Sequence, residues 1–233
     1  VGVDELVLDL RYNPGGYVST AQLLSSLIAP SSKLGSKWLE CRPNASRKST
    51  WYNLLEASEV SDCNLSLDRL YVIASASSAS CSELMINNLR ALDVEVIHIG
   101  STTEGKVVGM EVIDHLFNST DKAIFGNYQY TLHPVSFRSY DAKGTSDYGN
   151  GLKPNHFYDE YMDENSLRWI EWGELGSASE PMLAIALAKI DGVTTTQVAS
   201  LAKPIDVGAV ECDNSLLHSG LRGTIVAPTD NNY

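Results

Sequence analysis

The apolar positions of this chain fall first into short continuous runs and then into helical spacing. Glu5–Leu10 ("ELVLDL") reads as a buried strand, closed by the turn "RYNPGG". Val18, Ala21, Leu24, Leu27 and Ile28 then recur at helical intervals, and Pro30 stops that helix. Residues 31–68 are polar and irregular, with a hairpin or surface excursion around "KWLECRPNASRKSTWYNLLEAS". A second strand is expected at Leu70–Ser75, a helix over Ser82–Leu92, a third strand at Val94–Gly100 and a fourth at Val107–Ile113. Residues 123–140 suggest hairpin strands, "SDYGNGLKPNHFYDE" reads as loop, and Pro181–Ile190 as a short helix. Beyond Gly192 the pattern weakens, with one strand expected at Gly223–Val226. Strands alternating with helices predict an α/β fold with a mainly parallel sheet.

Composition narrows the function classes. The chain has 233 residues, 43% of them hydrophobic, enough for a real core. No apolar run approaches the ~18–20 residues of a membrane span. Seventeen basic against 29 acidic residues give a net charge of −12, which argues against nucleic acid or an anionic membrane as partner. The four cysteines, Cys41, Cys63, Cys81 and Cys212, show no zinc spacing. They read as buried thiols, with a disulfide between Cys41 and Cys63, which flank one polar segment, as the alternative in an oxidising compartment. Sequons stand at Asn44, Asn64 and Asn118. The first residues have no signal-peptide pattern and open almost directly on a strand, so the chain reads as part of a longer precursor.

Three short stretches carry candidate chemistry. "ASASSASCSE" (74–83) lies between a strand and a helix, where free N–H groups and the positive end of the helix dipole favour developing negative charge. A serine there suits an oxyanion-stabilised nucleophile, but Ser78 or Ser80 with Glu83 equally suits a capping box. A nucleophilic serine needs a base. None of His98, His115, His133, His156 and His218 sits in a recognisable motif, no G-x-S-x-G elbow occurs, and His98 reads as a packed residue. Lys106, ending "GSTTEGK", is the other candidate, because a desolvated lysine becomes a neutral-pH base. The phosphate-loop pattern fails there, since Val107 follows the lysine. In "NPGG" (13–16), Gly15 and Gly16 would let a ligand approach backbone N–H groups closely.

Taken together, Asp9, Leu10, Arg11, Asn13, Gly15 and Gly16, then Ser78, Ala79, Ser80, Ser82 and Glu83, then Gly100, Thr103, Gly105 and Lys106 resemble the motifs of the C-terminal (tail-specific) processing peptidases, the S41 family of serine proteases. "HPVSFRSYDAKGTSDYGNGLKPN" is similar to the downstream region of its bacterial lipoprotein-like branch. The resemblance implies a ClpP/crotonase-like core of repeated ββα units, a mainly parallel sheet and added hairpin strands. It implies an endopeptidase cutting near protein C-termini through a Ser-Lys dyad, with Ser80 as nucleophile and Lys106 as base. The N–H of Cys81 and one from Gly15 or Gly16 would form the oxyanion hole. No metal or cofactor is implied, and the partner is a protein or peptide substrate. The location implied is periplasmic, outer-membrane-anchored or secreted in a bacterium.

On this reading residues 1–192 form the peptidase core and 193–233 a C-terminal extension, with an N-terminal part, including any PDZ domain, outside the chain. Two departures stand out. Cys81 replaces the usual alanine, and Met110 occupies the position where many members carry a glutamine that orients the lysine. A non-catalytic ligand- or protein-binding module on the same fold is the rival reading. Crotonase-like acyl-CoA chemistry shares the fold but uses no paired serine and lysine.

Overall fold

A computed structural model describes residues 2–113, 132–159, 162–163, 168–170, 173–193, 204–205 and 225–226. The organising element is β5 (Arg69–Ala74), which follows β1 (Val7–Asp9), β2 (Gly16–Tyr17), β3 (Lys37–Pro43) and β4 (Thr50–Asn53) in the chain. It pairs in parallel with β1 on one side and with β6 (Glu95–Gly100) on the other, and β6 pairs in parallel with β9 (His156–Phe157). The run "LYVIA" is continuously apolar because both faces of this sheet are covered. Leu70, Val72 and Ala74 face one core cluster, packed with α1 (Val18–Ile28) and α3 (Cys81–Ala91). Tyr71 and Ile73 face the other, which includes Met182, Ala184 and Ile185 of α4 (Pro181–Ile190).

A second, six-stranded sheet runs β2–β13–β7–β8–β3–β4, with β7 (Val108–Met110), β8 (Val135–Asp141) and β13 (Ile225–Val226). Its β2–β13–β7 part is parallel and its β7–β8–β3–β4 part antiparallel. Three short strands, β10 (Met162–Asp163), β11 (Arg168–Ile170) and β12 (Pro204–Ile205), form a separate antiparallel sheet. No described helix is long and apolar enough to cross a membrane.

The expected strands and helices are present within a few residues of their predicted bounds. In the segment 31–68 the expected hairpin forms as β3–β4. The correction is to its irregular surface character, since the segment also holds a short helix, α2 (Ala57–Val60), and buries Trp38, Leu39, Leu54, Val60 and Leu67. It looked irregular because its few apolar residues are spread among polar ones that face solvent. Cys41 is buried and Cys63 exposed, and both are free thiols. Of the hairpin expected over 123–140, β8 is seen, and 123–131 lie outside the described residues. His115, Asn118, Cys212 and His218 lie outside them as well.

Candidate active site

The site is assembled where β1, β5 and β6 end. The chain leaves β1 through Leu10, turns at Tyr12 (φ +60°), and passes Gly15 (φ +107°) and Gly16 (φ +153°) before entering α1. Asn13 shapes this turn, its Oδ1 accepting the Gly15 N–H at 3.0 Å. Gly15 is required by space as well as by its dihedral. A Cβ there would stand 2.7 Å from Ser80 Cβ, 2.9 Å from Cys81 N and 3.0 Å from Ser80 Oγ. The glycine turn and the serine elbow are therefore in direct contact.

The serines of the elbow divide their work. Ser78 Oγ donates to Leu10 O (2.7 Å) and accepts from Ser75 N (2.9 Å), tying the elbow to the end of β1. Ser82 Oγ donates to Asn13 O at 2.9 Å, and Ala79 N to the same carbonyl at 3.1 Å. Ser80 differs. It is the N-cap of α3 with φ +59° and ψ −117°, a conformation costly for any residue with a Cβ. Its hydroxyl is buried and without a hydrogen-bond partner among the described residues. Half of the capping box closes, with Ser80 N donating to Glu83 Oε2 at 2.9 Å. The reciprocal contact to Ser80 Oγ falls short of hydrogen-bond geometry and leaves the hydroxyl unengaged.

Cys81 is the first residue of α3, so its N–H is one of the donors that a helix leaves unpaired at its start. Its thiol donates to Gly16 O at 3.2 Å. Burial pushes that thiol up to about 12, against the pull of the Gly16 contact and the Lys106 charge, so it is no nucleophile at neutral pH.

The third piece is the loop 101–106 after β6. Gly105 N and Lys106 N donate to Glu83 Oε1 (2.6 Å) and Oε2 (2.8 Å), and Thr103 Oγ1 donates to Oε1 at 2.5 Å. The backbones of Ser80 and Lys106 thus share one carboxylate oxygen and lie within two hydrogen-bond lengths of each other. The Lys106 pKa is lowered by burial, with the charges of Cys81 and Glu104 acting the other way. Behind the loop, a Cβ on Gly105 would stand 2.6 Å from Gly149 O, and one on Gly151 would collide with Thr103 O. Leu152 N donates to Thr103 Oγ1 at 2.7 Å. The segment 149–152, legible in the sequence only as loop, is the wall against which the lysine loop rests.

A cleft of about 290 Å³ opens beside this assembly. Leu10, Ala21, Leu24 and Met85 give it an apolar floor, Tyr17 and Thr20 stand along α1, and Gly15, Gly16, Cys81 and Ser82 close the end next to the elbow. No charged side chain among the described residues lines it. Arg11 points elsewhere. It binds Asp9 and, through Nη1 at 2.9 Å, the buried carboxylate of Glu180, which also caps α4. Burial opposes the Arg11 charge, but these carboxylates hold its pKa above the ordinary value. Arg11 therefore anchors α4 to the site's scaffold. Nothing in the sequence marked Glu180 as its partner, 169 residues away.

The sequence model of Peptidase family S41 matches residues 1–155. The chain belongs to Peptidase family S41. Among solved structures, a Bacteroides fragilis protein assigned to the S41 proteases is 29% identical, with a TM-score of 0.68, over 83% of this chain and 46% of its own. The photosystem II D1 C-terminal processing protease is 19% identical (TM-score 0.48; 69% of this chain, 36% of that one). A lipoprotein from Streptococcus agalactiae is 17% identical (TM-score 0.48; 66% and 50%). This S41 chain thus spans half or less of the length of these proteins. Comparison with curated proteins gives no match. The mixed architecture, with a mainly parallel sheet joined to an antiparallel one, is the ClpP/crotonase-like fold of the S41 family.

Proposed function

We propose that this chain is the catalytic unit of a serine endopeptidase that cuts proteins near their C-termini, with Ser80 as nucleophile and Lys106 as general base. The observation that carries the reading is the state of Ser80. It alone among the elbow's serines combines a strained backbone with a buried, unengaged hydroxyl, and it stands beside a lysine whose pKa burial lowers. A neutral Lys106 amine takes the Ser80 proton, and the alkoxide attacks the scissile carbonyl. The Cys81 N–H and one from the glycine turn receive the oxyanion. Within that turn Gly16 is the better donor, because the Gly15 N–H is held by Asn13 Oδ1. Lys106 returns the proton to the leaving amine, and water then releases the acyl group. The apolar cleft beside Cys81 receives a neutral substrate side chain. Residues 1–192 act as the core and 193–233 as an extension that returns β13 to the core's six-stranded sheet, in a protein working outside the cytoplasm.

The test is peptide cleavage by the purified chain. Ser80→Ala is expected to abolish turnover and Lys106→Ala to cost nearly as much, because the two act as one unit. In the intact enzyme kcat/KM should fall as pH drops through the Lys106 pKa, which lies below the ordinary lysine value. Amidating the peptide's C-terminus should slow cleavage. Equal rates would make the enzyme indifferent to chain ends, and full activity in Ser80→Ala would overturn the assignment.

A further inference from the structure

We infer that Glu83 is a positioning residue of this site, its buried carboxylate holding the lysine loop and the serine elbow in register. The inference rests on Ser80 and Lys106 being the reacting pair. A capping glutamate at the third position of a helix needs one bond, back to the N-cap N–H. Glu83 has that bond and three more, from Thr103 Oγ1, Gly105 N and Lys106 N, none of which belongs to α3. Helix capping leaves those three unexplained. The side chain is fully buried, so each carboxylate oxygen takes two donors where water cannot substitute for either.

The geometry shows how the root of the lysine is placed against the elbow. Met110, four residues after Lys106, carries a thioether, at most a weak acceptor. Lys106 is fixed at its root, since its backbone and that of Ser80 bond to the same oxygen, Glu83 Oε2. Thr103 extends the clamp, donating to Glu83 Oε1 while accepting from Leu152 N, so the wall at 149–152 also reports to the same carboxylate. Among the described residues, the charges of Cys81 and Glu104 act on the Lys106 amine, and that of Glu83 is not among them. Glu83 therefore acts on the amine through placement.

Glu83→Gln and Thr103→Val separate placement from mere folding. Gln keeps the shape but turns an amide donor toward N–H groups, and Val deletes one bond of the clamp. In the full chain, Glu83→Gln is expected to lower kcat about 100-fold with KM within about threefold, as misplacement by an ångström does. The acid limb of its kcat/KM–pH profile should move up as the amine gains water. Thr103→Val should lose about tenfold in kcat, with a smaller move of that limb in the same direction. If either variant loses activity only in proportion to its unfolded fraction, with kcat per folded molecule and the acid limb unchanged, the inference fails. If Glu83→Gln does not fold, the pH profile of Thr103→Val decides alone. Ser80→Ala and Lys106→Ala run in parallel keep the two readings apart. Their inactivity beside a wild-type Glu83→Gln sinks only the clamp, whereas their activity sinks the reacting pair itself.

Discussion

Ser80 occupies a backbone conformation that costs about 1–3 kcal/mol for a residue with a Cβ and persists only where its surroundings impose it. Here the imposing parts are Gly15 in contact on one side and the Glu83 bond to its N–H on the other. Gly15→Ala meets both a steric and a dihedral obstacle, because its φ of +107° is unfavourable to any Cβ and the new methyl would press on Ser80 and Cys81 N. The expected outcome is a loss of stability on the order of 1–3 kcal/mol in urea unfolding and a fall in kcat/KM of about 100-fold or more. Wild-type values for both would show that the turn is free to move away from the elbow. The serine-rich stretch was visible in the sequence, and the family resemblance pointed to Ser80 within it. The physical grounds for Ser80, its dihedral and its unengaged oxygen, are not written in composition.

Helix α1 ends at Pro30 as its sequence predicts, but the sequence does not say what satisfies its last carbonyls. Asn64 does, with Nδ2 donating to Ser26 O and Ala29 O, both at 2.8 Å. Leu65 N and Leu67 N then bond to Leu27 O and Ile28 O. The segment that read as a polar excursion is thus the C-terminal cap of α1, the helix that borders the cleft. Asn64 also heads a sequon, and its amide is already committed to the helix end. Asn64→Ala should cost about 1–3 kcal/mol, since it leaves part-buried carbonyls without a donor. Equilibrium unfolding measures this, and a change below a few tenths of a kcal/mol would show that another group takes over the cap.

Across the whole molecule, the two-faced parallel sheet imposes a condition on His98. The ring lies in β6, fully buried, and neither nitrogen makes a hydrogen bond among the described residues, although the Ala74, Lys153 and Ser101 carbonyls nearby favour its charged form. Burial first and the Arg90 charge second push its pKa down to about 4. The unfolded chain, titrating near 6.5, binds the proton more readily, so stability is full above about pH 6.5 and falls as pH drops towards 4. The loss amounts to roughly 3 kcal/mol from this residue. His98→Leu should reduce the difference in unfolding free energy between pH 7 and pH 4.5 by roughly 2–3 kcal/mol. An unchanged difference would assign acid sensitivity to other groups.

The elements and the three motifs were legible in the sequence because each depends on local facts. These are runs of apolar residues long enough for a strand, helical spacing after a turn, and glycines and serines where the backbone bends. Arg11, Glu83 and Thr103 could be picked out as motif positions, but their partners outside the local turn could not. Glu180 lies 169 residues from Arg11, and Thr103 is 49 residues from Leu152. The hairpin at β3 and β4 was one of two readings of its segment, but its share of the core was obscured because its buried residues are interleaved with polar ones and satisfy no single period. Local sequence set which segments could be strand, helix or elbow. Only the tertiary structure decided that one carboxylate joins the serine elbow to the lysine loop, because hydrogen bonds depend on distance in space and not along the chain.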